Sequence, residues 1–207
     1  MASEQVVHIN NCIPTALFHP TDMLQARQSL SLPDDKRLLL FCSQKVTDER
    51  KGIKFLVEAL KKTHPSPPSK EGSSLGLIIV GKNSEQIPLP DGIEAFCFGS
   101  VSEQTMSLLY NAADAFLTPS LQDNLPNTIA EAMSCGTPCV GFNVGGIPEM
   151  IDHLENGYVA RYRDAADLAA GIRFVLSHDL RKAAHAKAVE AYSETRVAQE
   201  YIQLFSS

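Results

Sequence analysis

Short apolar runs alternate with amphipathic stretches along most of the 207 residues, and the alternation predicts strand and helix in turn. The first run, RLLLFC at 37–42, is too short for an ordinary helix and has no polar residue after Arg37, so it reads as a strand buried on both faces. Ile53, Phe55, Leu56, Val57 and Leu60 then share one helical face, and the helix ends in Lys61 and Lys62, cations that suit a C-terminal dipole. Further strands are expected at 75–80, 93–98, 115–117 and 139–142, with helices at 103–112 and 128–134 between them. The Pro-, Ser- and Gly-rich stretch 63–74 cannot continue a helix and reads as a surface loop. From 165 to 205 the pattern is helical, with breaks near 177–179 and near Ser193. Together these elements predict an α/β fold, a single Rossmann-like open parallel sheet with helices on both faces. Ahead of it, residues 1–36 form a linker and lead-in segment. It holds an apolar stretch at 6–9, turn prolines, a helix cap at Thr21 or Asp22, and Met23, Leu24 and Arg27 at helical spacing.

Composition narrows the class. With 44% hydrophobic and 20% charged residues, the chain is globular and large enough for one sizeable core. A net charge of -6 gives the average surface no attraction for nucleic acid or anionic lipid, so any anion site must be local. The N-terminus shows no basic segment followed by an apolar core, and no run approaches the roughly 18 apolar residues of a spanning helix, so a cytoplasmic location is expected. Cys12, Cys42, Cys97, Cys135 and Cys139 are odd in number, and their settings suggest small buried hydrophobes in a reducing compartment. Cys135 and Cys139 have no second cluster to complete a zinc spacing, so no metal is expected. The histidines, at 8, 19, 64, 153, 178 and 185, are scattered and none accompanies a nucleophile pattern.

In an open parallel sheet, ligands bind beyond the carboxyl ends of the strands. Four loops occupy that position here, 43–52, 81–84, 118–127 and 143–148, and together they form one rim. The first carries Lys45, Arg50 and Lys51 beside a helix that Gly52 opens, a combination suited to a diphosphate, although taken alone a solvated charge run balanced by Asp48 and Glu49 is the plainer reading. In the third, Pro119 and Pro126 fix a turn, Asn127 and Thr128 are candidate helix caps, and Asp123 and Glu131 place two carboxylates near the rim. Carboxylates so placed accept hydrogen bonds from vicinal sugar hydroxyls, although a turn residue and a dipole-compensating one are the plainer readings of each alone.

The ordered set RKG before a helix, an IIVG strand end, FGSVS, and LYNAADAFLTPSLQDNLPNTIAEAMSCGTPCVGFNVGGIPEMI resembles the nucleotide-binding C-terminal half of the family-four glycosyltransferases, which have the two-domain GT-B fold. The resemblance runs from about Ile9 to the C-terminus, and INNCIPTALFHP is similar to the family's interdomain linker. It implies transfer of a hexose-type sugar from a nucleoside-diphosphate sugar, UDP- or GDP-linked, with retention of anomeric configuration. No cofactor or metal is implied.

The family's signature of Glu, seven residues and Glu falls here on Asp123, facing the donor hexose, and Glu131, facing the ribose. An Arg and a Lys six residues apart bind the diphosphate; Lys51 matches the Lys, and Lys45 stands where Arg is usual. An ammonium keeps the charge of a guanidinium but not its planar bidentate contact. The family's Gly-Phe-Gly after the first acid is replaced by Asn124, Leu125 and Pro126, and because Pro126 has no N–H, loop contacts to the donor fall to Asn124, Leu125 and Asn127. The resemblance places base and ribose between Gly81, Ser100 and Val101 on one side and Thr118 to Ser120 on the other, with Gly145 and Gly146 in a further donor loop. A tight turn explains those two glycines equally well.

No second set of alternating strands and helices precedes Arg37, so the N-terminal acceptor domain of such an enzyme is expected to be absent from this chain. Residues 37–192 would then be the nucleotide-sugar-binding domain and 193–207 a helix that crosses back to the missing half, which would accept a glycan or lipid and could bring the enzyme to a membrane surface. The face it leaves, with Val197, Tyr201, Leu204 and Phe205, is a candidate for self-association. Two other readings use the same residues, a GT-B-type sugar-nucleotide epimerase domain and a non-catalytic nucleotide-sugar-binding module.

Overall fold

Alternate residues of the first apolar run enter two different cores. In the computed structural model, which describes residues 7–63 and 74–206, Leu38 and Leu40 pack with Ile78, Val80 and Phe116, whereas Leu39 and Phe41 pack with Leu77, Ile79, Leu117 and Phe142. Side chains alternate across a strand, so a strand apolar at every position demands cover on both faces. Most of the loop expected at 63–74, His64 and Val6 lie outside the described residues.

The strands are β1 (Arg37–Lys45), β2 (Leu75–Lys82), β3 (Glu94–Phe98), β4 (Ala115–Thr118), β5 (Cys139–Phe142) and β6 (Gly157–Ala160). They form one sheet in the order β3-β2-β1-β4-β5-β6, and every neighbouring pair is parallel. Helices α2 (Ile53–Thr63) and α6 (Ala165–Ser177) cover one face through Leu56, Leu60, Leu168 and Ile172. The other face carries α1 (Met23–Ser29), α3 (Glu103–Ala112), α4 (Asn127–Ser134), the short α5 (Ile147–Met150) and α7 (Arg181–Tyr192). The chain builds outward from β1 to β3, then returns to lay β4 against the other side of β1. Loops leaving β1 and β4 therefore diverge to opposite faces, and a crevice opens between them.

Three details depart from the sequence expectation. The sixth strand, GYVA at 157–160, was not foreseen, because four residues that begin with Gly and Tyr make no apolar run. The third strand is an edge: Phe96 and Phe98 pack on the core, but Cys97 faces solvent. The cysteines therefore do not all behave as buried hydrophobes. Cys135 and Cys139 are buried and Cys42 half-buried, but Cys12 and Cys97 are exposed.

The lead-in segment is fastened to the domain. Asp22 caps α1 by accepting the Gln25 N–H at 2.8 Å. Ile13 donates its N–H to Tyr192 O at 2.9 Å, and Ile13 and Phe18 are buried. Arg27, 3% exposed, donates to the Ala112 carbonyl at 2.9 Å and pairs with Asp114 at 2.8 Å; Asp114 also receives Arg37 and the Leu38 N–H. The final helix, α8 (Glu194–Ser206), buries only Val197, and Phe205 is 82% exposed. Among the described residues no helix is long and apolar enough to cross a membrane.

Removing one member of a buried, hydrogen-bonded ion pair strands the other, at a cost of about 3–5 kcal/mol. Asp114→Ala is expected to lower unfolding free energy by that amount in urea titrations; a loss below about 1 kcal/mol, the scale of exposed pairs, would show that the Arg27 network is not a structural anchor.

Candidate functional site

At the point where β1 and β4 lie side by side, their carboxyl ends and that of β2 surround a cleft of ≈ 530 Å³, within the size range of small-molecule sites. Lys45, Lys51, Gly81, Ser100, Val101, Ser120 and Asp123 all line it. No described histidine does, and among the described residues no group of three His, Cys, Asp or Glu gathers as a metal site.

Two loops are held together at its mouth. Lys51 Nζ lies 2.8 Å from Asp123 Oδ2, with both side chains part-buried. The backbones are tied as well, since Leu121 donates its N–H to Arg50 O at 2.7 Å. Gly52 adopts φ +69°, and a Cβ there would collide with the Pro119 carbonyl oxygen, so this close approach requires glycine. Arg50 is turned to Asp48 at 2.7 Å in an exposed pair, and its hydrogen bonds hold the Asp48 carboxyl down to about 2. Lys45 makes no ion pair among the described residues. One unpaired and two paired cations thus stand at the same end of the cleft.

The glycine loop props the acidic loop. Gly145 adopts φ +55°, and a Cβ there would strike the Asp123 carbonyl oxygen; Gly146 donates its N–H to Asn124 O. A tight turn accounts for the pair, with positive φ at Gly145 alone, and neither glycine lines the cleft. Leu125 packs on the core and against Gly146. Asn124 and Leu125 belong to this adjoining loop pair and not to the cleft lining. Asn127 is likewise off the lining, and its Oδ1 accepts from Asn11 at 3.2 Å. The expected cap is also displaced: Pro126 occupies the N-cap position of α4 and makes no side-chain cap hydrogen bond, while Asn127 is the first helical residue.

Glu131 stands just behind the lining, half-buried, within electrostatic reach of Glu103 and Cys42, which do line it. Burial raises its carboxyl above the usual range, and the Tyr110 hydroxyl, 2.8 Å from Oε2, partly offsets that rise. The sequence did not point to Cys42, Glu103, Tyr110 or Thr128 as residues of the cleft or its backing. Cys42 and Tyr110 sit among apolar residues that read as core, and only the polar end of Tyr110 signalled a buried partner. Burial pushes the Cys42 thiol up to about 12, so it is neutral at pH 7 and serves as a packing atom.

An open parallel sheet with helices on both faces and a cation-bearing cleft at its switch point is a Rossmann-like architecture. The glycosyl transferases group 1 family matches residues 36–178, and the chain belongs to that family. An uncharacterized glycosyltransferase of Methanocaldococcus jannaschii is 27% identical over 200 residues, 89% of this chain and 48% of that protein. Sucrose-phosphate synthase from Thermosynechococcus elongatus superposes with a TM-score of 0.78 at 25% identity, covering 96% of this chain and 51% of that one. Anabaena HepE in complex with UDP and glucose superposes at 0.73 and 22% identity, over 96% and 56%. The chain spans about half the length of the curated relatives it matches.

Burial and thiol acidity predict the labelling pattern of the cysteines. Cys12 and Cys97 are expected to react rapidly with a thiol-disulfide reagent at pH 8, and Cys42, Cys135 and Cys139 only after unfolding. A third rapid equivalent in the native protein would contradict the packing described for Cys42.

Proposed function

We propose that this chain is the donor-binding domain of a retaining glycosyltransferase that moves a hexose-type sugar from a UDP- or GDP-sugar to a glycan or lipid acceptor without a metal ion. The observation that carries the reading is the Lys51–Asp123 pair at the switch-point cleft, with Lys45 beside it. Lys51 and Lys45 bind the diphosphate, Asp123 the hexose hydroxyls, and Glu131 the ribose. Gly81, Ser100, Val101 and Ser120 border the base and ribose, and the backbone of Asn124 and Leu125, propped by Gly145 and Gly146, completes the sugar side together with Asn127. The UDP named in the Anabaena HepE complex supports a nucleoside-diphosphate ligand.

The chemistry follows from charge. As the glycosidic bond to the diphosphate breaks, negative charge grows on the leaving phosphate, and preorganised cations stabilise that growth without reorganising. At about 4 Å and an effective dielectric near 20, each ammonium interacts with a unit charge by about 4 kcal/mol. Only the part that increases on departure lowers the barrier. Before donor binds, Asp123 neutralises Lys51; a donor offers phosphate to the lysine and hydroxyls to the aspartate, so both groups exchange one partner for another and neither is left uncompensated. The acceptor is bound outside residues 37–192, and transfer requires both substrates held together. The chain alone is expected to bind donor weakly and to transfer negligibly.

Calorimetric titration with UDP, GDP, ADP and their hexose conjugates, with and without EDTA, tests the reading. Binding of one nucleotide, unaffected by EDTA and weakened at least tenfold in both Lys51→Ala and Glu131→Ala, is expected. A folded chain that binds no diphosphate nucleotide, or one whose affinity neither variant changes, would refute it.

A further inference from the structure

Tyr110 is fully buried on α3, and its ring is fixed on two sides. Phe18 from the lead-in segment meets it edge-on at 6.1 Å, and Phe116 of β4 at 5.6 Å. Its backbone carbonyl is held in turn by Thr137 Oγ1 at 2.6 Å. The hydroxyl therefore has no freedom to seek a partner, and it donates to Glu131 Oε2 at 2.8 Å. Among the described residues the other carboxylate oxygen, Oε1, takes no hydrogen bond. No buried side-chain polar atom there lacks a partner, so Oε1 is reached by solvent.

We infer that Tyr110 is a positioning residue that clamps one oxygen of Glu131 so that the other is presented, as an acceptor, to the vicinal hydroxyls of the nucleotide ribose. The inference rests on the reading of Glu131 given above and adds the group that aims it. A carboxylate on a flexible two-methylene stem loses rotamer entropy when it binds a diol, and a clamp that removes this freedom beforehand makes the contact stronger. The same hydrogen bond favours the ionised, acceptor-only form against the burial that disfavours it. Burial keeps Tyr110 itself protonated, so it remains a donor across the working pH range. A purely structural hydroxyl, satisfied because it is buried, would contribute to stability but not to ribose recognition.

The test compares ribose with deoxyribose. The affinities of UDP and 2′-deoxy-UDP, and of GDP and 2′-deoxy-GDP, are measured for the chain, for Tyr110→Phe and for Glu131→Gln by NMR titration. The unaltered chain is expected to prefer the ribonucleotide about tenfold, the scale of one hydrogen bond to a charged group. In Tyr110→Phe the preference is expected to fall to within twofold while deoxynucleotide affinity holds. Carboxylate carbon resonances should show Glu131 titrating at higher pH in Tyr110→Phe, because a hydrogen bond to the charged form has been removed. A collapsed preference in Glu131→Gln with an intact one in Tyr110→Phe would overturn the inference and leave the Glu131 reading standing. An intact preference in Glu131→Gln, or no nucleotide binding by any of the three, would overturn both.

Discussion

The structure depends on the burial of β1 on both faces. Leu38 and Leu40 commit to one core and Leu39 and Phe41 to the other, so both faces must be covered; here helices cover them and the strands around β1 are parallel. A parallel sheet that builds away from β1 in one direction and returns to build in the other has a single place where consecutive loops part company. That place, between β1 and β4, is where the cleft lies. The position of the cleft thus follows from the strand order, before any polar residue is considered.

What the polar residues add is a preset charge balance. Lys51 and Asp123 come from loops 72 residues apart in sequence, and a backbone hydrogen bond and the glycine at 52 fix their approach. Behind that pair, Tyr110 and Glu131 show the same economy, since a buried hydroxyl that needs a partner is satisfied by a carboxylate whose second oxygen is not fully buried. The lead-in segment contributes too: Phe18 shares a core with Tyr110 and backs its ring.

Five of the six strands, the two-sided cover and the rim were legible because apolar periodicity encodes them directly. The sixth strand was not, because Gly157 and Tyr158 interrupt the pattern. Edge exposure of Cys97 was not, because periodicity reports which residues are apolar and not which strand ends the sheet. Among the site candidates, Lys45, Lys51, Gly81, Ser100, Val101, Ser120 and Asp123 meet on one cleft. Asn127 faces Asn11, a contact across 116 residues that no local motif contains. Tyr110 was hidden for a related reason, since in sequence it is one apolar position of a helix and only the fold brings its hydroxyl to Glu131.

The most direct test of the account is an amide chemical-shift map of the isotopically labelled chain titrated with UDP and GDP. The account predicts perturbations concentrated at 43–52, 99–103 and 118–131, the segments around the β1 and β4 carboxyl ends. Perturbations centred instead on the opposite end of the sheet, around Arg37, Asp114 and Arg181, would contradict the claim that the switch-point cleft is the nucleotide site.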